Sequence, residues 1–293
     1  MNLYANWRGF YYPQDKNKGR ISSNVLRAQL KDHNSYNLID THFGGFFACT
    51  FSALCNMVRA YNACQVLPES LNLNHSLSMS CDSNEDLYNL FFELQSSIDL
   101  HSMLKVNTIP IAFASRPFKQ QNYRLISPLW NKYFTPNGRI KSLCNDLIKK
   151  YDLDLNRTLG VYYRGSDKIK EEKLPTFEEY IDQVNTRLNE GSFDRVFLQT
   201  DELKFKNMFL NSVKNSFHID ELGFSETGDG VHRELRHKGS GRTKNSEYML
   251  AVVHIFSQLN SLIVNTSHVS YAMCLYRNSV KNVLQYRRGA WIS

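Results

Sequence analysis

The chain predicts an α/β protein whose second half is a doubly wound parallel sheet. After Tyr151, short apolar runs without helical period (Leu159 to Tyr163, Arg195 to Gln199, Ser261 to Val264) alternate strictly with helical segments. Three of these runs empty into short polar motifs: Arg164-Gly165-Ser166-Asp167-Lys168, Thr200-Asp201-Glu202 and Asn265-Thr266-Ser267-His268. In a parallel sheet all three motifs lie along one edge, the edge at which open α/β sheets bind ligands.

Taken in order, the opening to about Leu38 is polar and irregular, with a short helix at Arg20 to Leu30 and no visible chemistry. Asn37 to Asp40 is a short strand; Gly44-Gly45 follows it, and then a long apolar-rich segment from Phe46 to Val66. Glycines between a strand and a helix let a ligand approach the backbone and the helix N–H groups, an arrangement that favours anions. From Asn72 to Asn107 helical stretches such as Glu85 to Leu94 alternate with polar turns, and Ile109 to Ala114 is a candidate strand. Tyr123 to Tyr133 carries Pro128 and runs into Thr135-Pro136-Asn137-Gly138, a breaker cluster that places a domain boundary between residues 136 and 137. Gly138 to Tyr151 is an amphipathic helix with Ile140, Leu143, Leu147 and Ile148 on one face.

In the second half, Thr176-Phe177-Glu178-Glu179 is a capping box opening a helix with Tyr180, Ile181, Val184 and Leu188 on a shared face. A helix from Leu203 to Lys214, a strand from Ser216 to Ile219, a long loop from Asp220 to Thr243 and a helix from Asn245 to Leu259 follow. After the strand at Ser261, a helix to Arg277 and a strand from Lys281 to Gln285 end the pattern.

At 293 residues with 42% hydrophobic content, the chain can fill the cores of two medium domains. It has no apolar run of membrane-spanning length, and Met1 to Gln14 lacks the apolar region of a signal peptide, so a cytoplasmic location is expected. The six cysteines have neither CxxC spacing nor the density of a disulfide scaffold and read as buried free thiols, with no zinc site. Asp152-Leu153-Asp154 is a lone DxD beside a helix end and reads as a surface turn, so no metal is expected. The net charge of +7 is spread out, and its densest sets, Lys168 to Lys173 and Arg233 to Lys244, are mixed with acids or glycines. A small phosphorylated ligand explains that distribution better than a nucleic acid does.

Strand ends need polar caps, and Thr200 to Glu202 by itself reads as one. The first motif does not. Arg and Lys are poor N-caps, and Arg164 with Lys168 near a helix start opposes the helix dipole unless an anion lies between them. The long loop, with five glycines, two histidines and four Arg or Lys residues, suits a phosphate or acceptor lid, with Arg233, His237 and Arg242 as candidates.

The stretches GVYYRGSDKIK, VFLQTDE and HIFSQLNSLIVNTSHVSYAM, in that order, resemble the core α1,6-fucosyltransferases and the nodulation fucosyltransferases, which have the GT-B fold. The likeness to α1,2- and protein O-fucosyltransferases is looser. THFGGFFACTFSALCNMVRAY resembles their N-terminal glycine turn and helix, so the likeness covers residues 38–66 and 136–286. It implies two Rossmann-like domains: an acceptor-side domain over 1–136 and a nucleotide-sugar domain over 137–293. It also implies inverting, metal-independent transfer from GDP-fucose to a glycan hydroxyl, without a cofactor. On that resemblance Arg164 and Asp167 are the candidate catalytic residues, Arg164 holding the β-phosphate and Asp167 orienting the loop. Lys168, Thr266, Ser267 and His268 meet the nucleotide, and Gly44 and Gly45 offer N–H groups to the pyrophosphate. Tyr162, Thr200, Asp201, Arg233 and His237 complete the candidate donor site. Glu171, Glu172 and Asp201 are candidates for a base, and Tyr11, Tyr12, Trp130 and Tyr133 for stacking on acceptor sugars. The chain departs from the family in having Tyr162 for a histidine, Gly165 for a second arginine and apolar Ala251 to Val253 where an Asp is usual. Alternatives are another donor such as a UDP-sugar, a GT-B protein that binds without turnover, and a basic nucleic-acid-binding protein.

Overall fold

A computed structural model describes residues 1–11, 20–31, 33–82, 86–100, 105–111, 115–226, 228 and 230–293, the side chains of 170, 232 and 236 excepted. The chain forms two compact units, residues 1–112 with 121–137 and residues 113–120 with 138–293.

In the first unit β1 (Asn2–Asn6), β3 (Tyr36–Asp40) and β4 (Pro68–Asn72) run parallel, and β2 (Gly9–Tyr11) folds back antiparallel on β1, giving the order β2-β1-β3-β4. The opening segment is therefore a hairpin on a sheet, a correction to its irregular reading. Leu3 and Ala5 alternate with Asn2, Tyr4 and Asn6 and face the core, which is the period of a half-buried strand. A helix, α1 (Ser23–Leu30), begins at Ser22, whose Oγ accepts from Val25 N. The longer α2 (Phe46–Cys64) has no Gly or Pro and buries residues on every side, so it is a core helix rather than an amphipathic one. Left-handed Gln65 ends it, with its N–H on the Tyr61 carbonyl.

Two short helices, α3 (Asn74–Leu77) and α4 (Leu87–Phe91), lead to β5 (Phe92–Glu93). Of the expected helix at Glu85 to Leu94 only α4 forms, and Glu85 lies outside the described residues. Ile109 to Ile111 is not a strand, and the remainder of that candidate lies outside the described residues. The segment carrying Pro128 is a helix, α5 (Tyr123–Phe134), followed by β6 (Thr135–Pro136), which pairs antiparallel with β5. A proline inside a helix costs about 3 kcal/mol. Burying Trp130, Tyr133 and Phe134 recovers about 2 to 3 kcal/mol each, so packing wins.

In the second unit α6 (Gly138–Lys150) precedes β7 (Thr158–Tyr163), α7 (Phe177–Asn189), β8 (Arg195–Thr200), α8 (Leu203–Ser212) and β9 (Ser216–His218). Then come α9 (Val231–Lys238), α10 (Arg242–Gln258), β10 (Ser261–Asn265), α11 (His268–Arg277), β11 (Val283–Arg287) and β12 (Ala290–Ile292). The strand order is β12-β11-β10-β7-β8-β9, parallel except for the edge hairpin β11-β12. The chain starts at β7, winds outward to β9 and returns to β10 on the other side of β7. The gap between β7 and β10 is thus the topological switch point, where an open sheet leaves a ligand crevice at its carboxyl edge.

All six residues of β7 are buried. Its Gly160 is required, since a Cβ there would meet Leu262 Cδ2 at 2.6 Å and Leu259 Cδ1 at 2.7 Å. The capping box at Thr176 is formed in both directions. The long loop is corrected in part. Residues 231–238 are α9, and Arg242 already belongs to α10, because the glycines punctuate the helices rather than fill a coil. Gly230, Gly239 and Gly241 take the positive φ values that end or begin helices. All six cysteines are free, five of them buried, and among the described residues no helix is long and apolar enough to cross a membrane.

Candidate functional site

The loop after β7 is locked by side chains from the ends of its two neighbouring strands. Asn265, the last residue of β10, accepts from Arg164 N at 2.9 Å and donates Nδ2 to Arg164 O at 2.8 Å. One amide side chain thus fixes the peptide groups on both sides of Arg164. Beyond β8, Asp201 accepts from Gly165 N at 2.9 Å and from Ser166 Oγ. Residues at the ends of the two strands that flank β7 therefore hold the loop, the kind of support that keeps a site in one geometry.

The Arg164 guanidinium donates to Asp167 Oδ1 at 2.7 Å, with side-chain exposures of 24% and 14%. Burial opposes its charge, yet Asp201, the Tyr162 hydroxyl and Asp167 outweigh burial and hold its pKa above the ordinary arginine value. It is a permanent cation at the switch point. Tyr162 is fully buried against it, and burial pushes the phenol well above its ordinary range, so Tyr162 stays protonated.

The other sequence candidates divide. Lys168 turns onto Glu171 at 2.6 Å, with Glu172 at 3.9 Å. Thr200 Oγ1 accepts from Glu202 N at 3.1 Å, a local turn bond. Thr266 Oγ1 donates to the Tyr286 carbonyl and accepts from Gln285 Nε2 at 3.0 Å, so this hydroxyl is spent on the fold. Ser267 makes a capping box with Ser270 at the start of α11, and His268 is exposed on the first turn of that helix. Arg233 and His237 are exposed on α9, and among the described residues no hydrogen bond ties them to the Arg164 cluster. Burial removes Trp130 and Tyr133 as sugar platforms, the Tyr133 hydroxyl being committed to the Pro68 carbonyl. Tyr11 is hydrogen-bonded to Thr41 Oγ1 at 2.7 Å, and Tyr12 lies outside the described residues.

Sequence reasoning passed over two groups. Asn265 and Ser166 stood inside the quoted motifs but were not singled out, although an Asn ending one strand beside a loop from the next was a readable signal. Glu202 packs so closely on Gly165 that any Cβ at 165 would overlap its carboxylate. Burial, then Asp201, raise the Glu202 pKa, with Lys204 opposing. Beside it opens a cavity of about 1430 Å³, lined by Tyr163, Phe177 and Leu203 and by the carboxylates of Glu171, Glu172 and Glu202. Among the described residues no three His, Cys, Asp or Glu side chains gather as a metal site.

In the first unit, Gly44 and Gly45 join β3 to α2, and Gly45 is the N-cap without a side-chain bond to the helix. The turn is fastened by Asp40, which is fully buried. Its Oδ1 accepts from His42 N at 2.9 Å and Ser76 Oγ at 2.8 Å, and its Oδ2 from Ser52 Oγ at 3.0 Å and Asn56 Nδ2 at 3.2 Å. Burial raises the Asp40 pKa, and these four bonds pull it back.

No protein-family model matches the sequence, and no curated protein matches it. Solved structures do match. The chain is similar to NodZ alpha-1,6-fucosyltransferase in crystals soaked with GDP-fucose, with a TM-score of 0.53 and 11% identity over 88% of this chain and 98% of that one. It is also similar to the same enzyme co-crystallized with GDP (TM-score 0.50, 13% identity, 88% and 98% covered). The fucosyltransferase NodZ from Bradyrhizobium matches over the same shares, with a TM-score of 0.51 and 11% identity. At such identities the likeness speaks for architecture, and the architecture is that of a GT-B-like α/β protein with two Rossmann-like units.

Proposed function

We propose that the chain is a glycosyltransferase that moves fucose from GDP-fucose to a glycan hydroxyl, with inversion and without a metal. The observation that carries this reading is Arg164: a permanent cation at the switch point of the second sheet, its backbone fixed by Asn265 and its guanidinium by Asp167. Transfer from a nucleotide sugar passes through an oxocarbenium-like state while negative charge grows on the departing diphosphate. A fixed cation at that charge stabilises the transition state more than the ground state, and so raises the rate.

In this mechanism Arg164 holds the β-phosphate and Asp167 keeps the guanidinium aimed. Asp201 fixes the peptide N–H of Gly165 and the hydroxyl of Ser166 beside it. The start of α11, at His268, faces the same edge and adds its dipole. Glu171, Glu172 and Asp201 remain the candidates to take the acceptor proton; burial raises the Glu172 pKa, which suits a base. Ala251, Val252 and Val253 are fully buried, so recognition of the nucleotide base falls to other residues.

A second reading, binding without turnover, is favoured by Glu202, whose carboxylate fills the space over Gly165 with negative charge. Calorimetric titration with GDP, GDP-fucose, UDP and a UDP-sugar, with and without magnesium, separates the readings. Metal-free binding of GDP but not UDP, with turnover on a glycan that Arg164→Ala abolishes, is the expected result. Binding of UDP alone overturns the donor, and an Arg164→Ala variant of full activity overturns the role of that arginine.

A further inference from the structure

The first unit's sheet carries exposed rings in a row where its parallel strands end. Trp7 follows β1, Phe43 follows β3 and His75 follows β4. The register pairs Ala5 with Asp40 and Ile39 with Asn72, which brings all three to the same carboxyl edge on adjacent strands. Neighbouring strands are about 4.8 Å apart, so the three strand ends that carry the rings span about 10 Å, the length of two pyranose units. Trp7 is 57% exposed and Phe43 55% exposed. The Phe43 and His75 rings lie 6.5 Å apart, and the Arg8 guanidinium stands 4.9 Å from the Trp7 ring.

Local structure does not call for these residues. Trp7 and Arg8 form the two-residue tip of the β1-β2 hairpin, since Asn6 pairs with Gly9. Such tips favour Asn and Gly, and the indole there stays more than half exposed. The tip is nevertheless anchored. Arg8 N donates to Asn6 Oδ1 at 2.8 Å, Asn56 Nδ2 to Asn6 O at 3.0 Å, and Arg59 to the Trp7 carbonyl at 3.2 Å.

One group holds all three loops. Asp40 receives Asn56, which carries the Trp7 tip through Arg59; it receives His42 N, next to Phe43; and it receives Ser76 Oγ, next to His75. Burying a carboxylate is costly, and here four hydrogen bonds offset the cost. The return is three loops set in one fixed arrangement, which lowers the ordering entropy a ligand must supply.

We infer that Trp7, Phe43 and His75 form a saccharide-stacking platform, with Asp40 as its positioning residue and a short oligosaccharide as its ligand. Flat rings meet the C–H faces of a pyranose, while Arg8 and His42 offer polar partners for its hydroxyls. As an acceptor site the platform rests on the transferase reading; as a saccharide-binding surface it does not.

The test is titration of the full chain with cellotetraose, N,N′,N″,N‴-tetraacetylchitotetraose and maltotetraose, read by tryptophan emission and iodide quenching. Trp130 is fully buried and Trp291 partly covered, so Trp7 dominates the quenchable signal. The expected result is that at least one oligosaccharide shifts the emission to the blue and shields the indole. Trp7→Ala and Phe43→Ala then weaken that binding about tenfold or more, Trp7→Phe keeps most of it, and GDP affinity does not change in Trp7→Ala. Failure of all three sugars to bind at millimolar concentration, or unaltered binding in both alanine variants, overturns the platform. Sugar binding without any nucleotide binding overturns the transferase reading and leaves the platform standing.

Discussion

Two buried titrating groups set opposite pH responses. His218 is nearly inaccessible, with Nε2 3.0 Å from the Gln199 amide, and burial, aided by Lys206, lowers its pKa to about 4. The unfolded chain binds a proton on this histidine near pH 6.5 and the folded chain does not, so its contribution is complete above pH 6.5. It is lost progressively as the pH falls toward 4, by on the order of 3 kcal/mol. Urea unfolding at pH 7 and pH 4.5 should show this loss, and His218→Gln should shrink the difference. Asp40 works the other way, because its pKa is raised: its ionisation costs stability as the pH rises through that value. Asp40→Asn removes the charge but sets an amide N–H₂ against Asn56 Nδ2 or His42 N, neither of which can accept, leaving one donor unpaired. The expected cost is about 1 to 3 kcal/mol in a thermal melt, with weaker oligosaccharide binding. Arg164→Lys should also fail to restore turnover, since an ammonium cannot hold Asp167 and a phosphate in one plane.

At the scale of elements, Gly160 within β7 and Gly165 in the loop after it are closed to a side chain by different neighbours. A methyl at Gly160 meets Leu262, Leu259 and Phe256 inside a closed core, so Gly160→Ala should cost about 1 to 3 kcal/mol. A methyl at Gly165 meets the far end of the Glu202 side chain, which can rotate into the adjoining cavity. It also meets the buried Tyr163 ring at 2.8 Å, which is held by Phe177, Tyr180 and Phe205, so Gly165→Ala should also cost about 1 to 3 kcal/mol and in addition displace the carboxylate. The same close packing explains what could be read in advance. Strands β7, β8 and β10 announce themselves because they are buried on both faces, and burial leaves an unbroken apolar run. The Arg164 motif was legible because two cations beside a strand end contradict the capping rule. Helix α9 was hidden because five glycines around it read as coil, and α5 because it carries Pro128 and runs into a breaker cluster, whereas tertiary packing holds it helical. The β1-β2 hairpin was missed for a more instructive reason: its tip is Trp-Arg, which carries no turn signature. Asp40 also gave no sign, because a carboxylate that gathers loops from three strands has partners far away in sequence.

For the whole molecule, a net charge of +7 suggests a polyanion partner, yet its placement argues otherwise. Arg164 is paired and recessed, Lys168 is neutralised by Glu171, and around the cavity beside them Glu171, Glu172, Glu178, Glu202 and Glu226 outnumber Lys173 and Lys204. On the proposed transferase reading, such a surface accommodates one diphosphate at Arg164 and disfavours a continuous phosphate backbone. Each unit also has its own sheet, with its own carboxyl edge, so two ligands can be read out separately in one chain. Ligands that bind the native state slow local opening where they bind. Hydrogen exchange followed by mass spectrometry should therefore show GDP protecting residues 158–170 and 261–270. An oligosaccharide that binds Trp7 should instead protect residues 1–11, 40–43 and 73–77. At a GDP concentration of 100 times its dissociation constant the gain is about 2.7 kcal/mol, enough to slow exchange roughly a hundredfold where opening needs the site to unfold. Trp7→Ala should abolish the sugar pattern and spare the GDP pattern, while Arg164→Ala should do the reverse. Should GDP protect the strand ends at Asp40 and Asn72 with no change at Arg164 and Asn265, the nucleotide would belong to the first sheet, and the assignment of donor and acceptor edges would have to be exchanged.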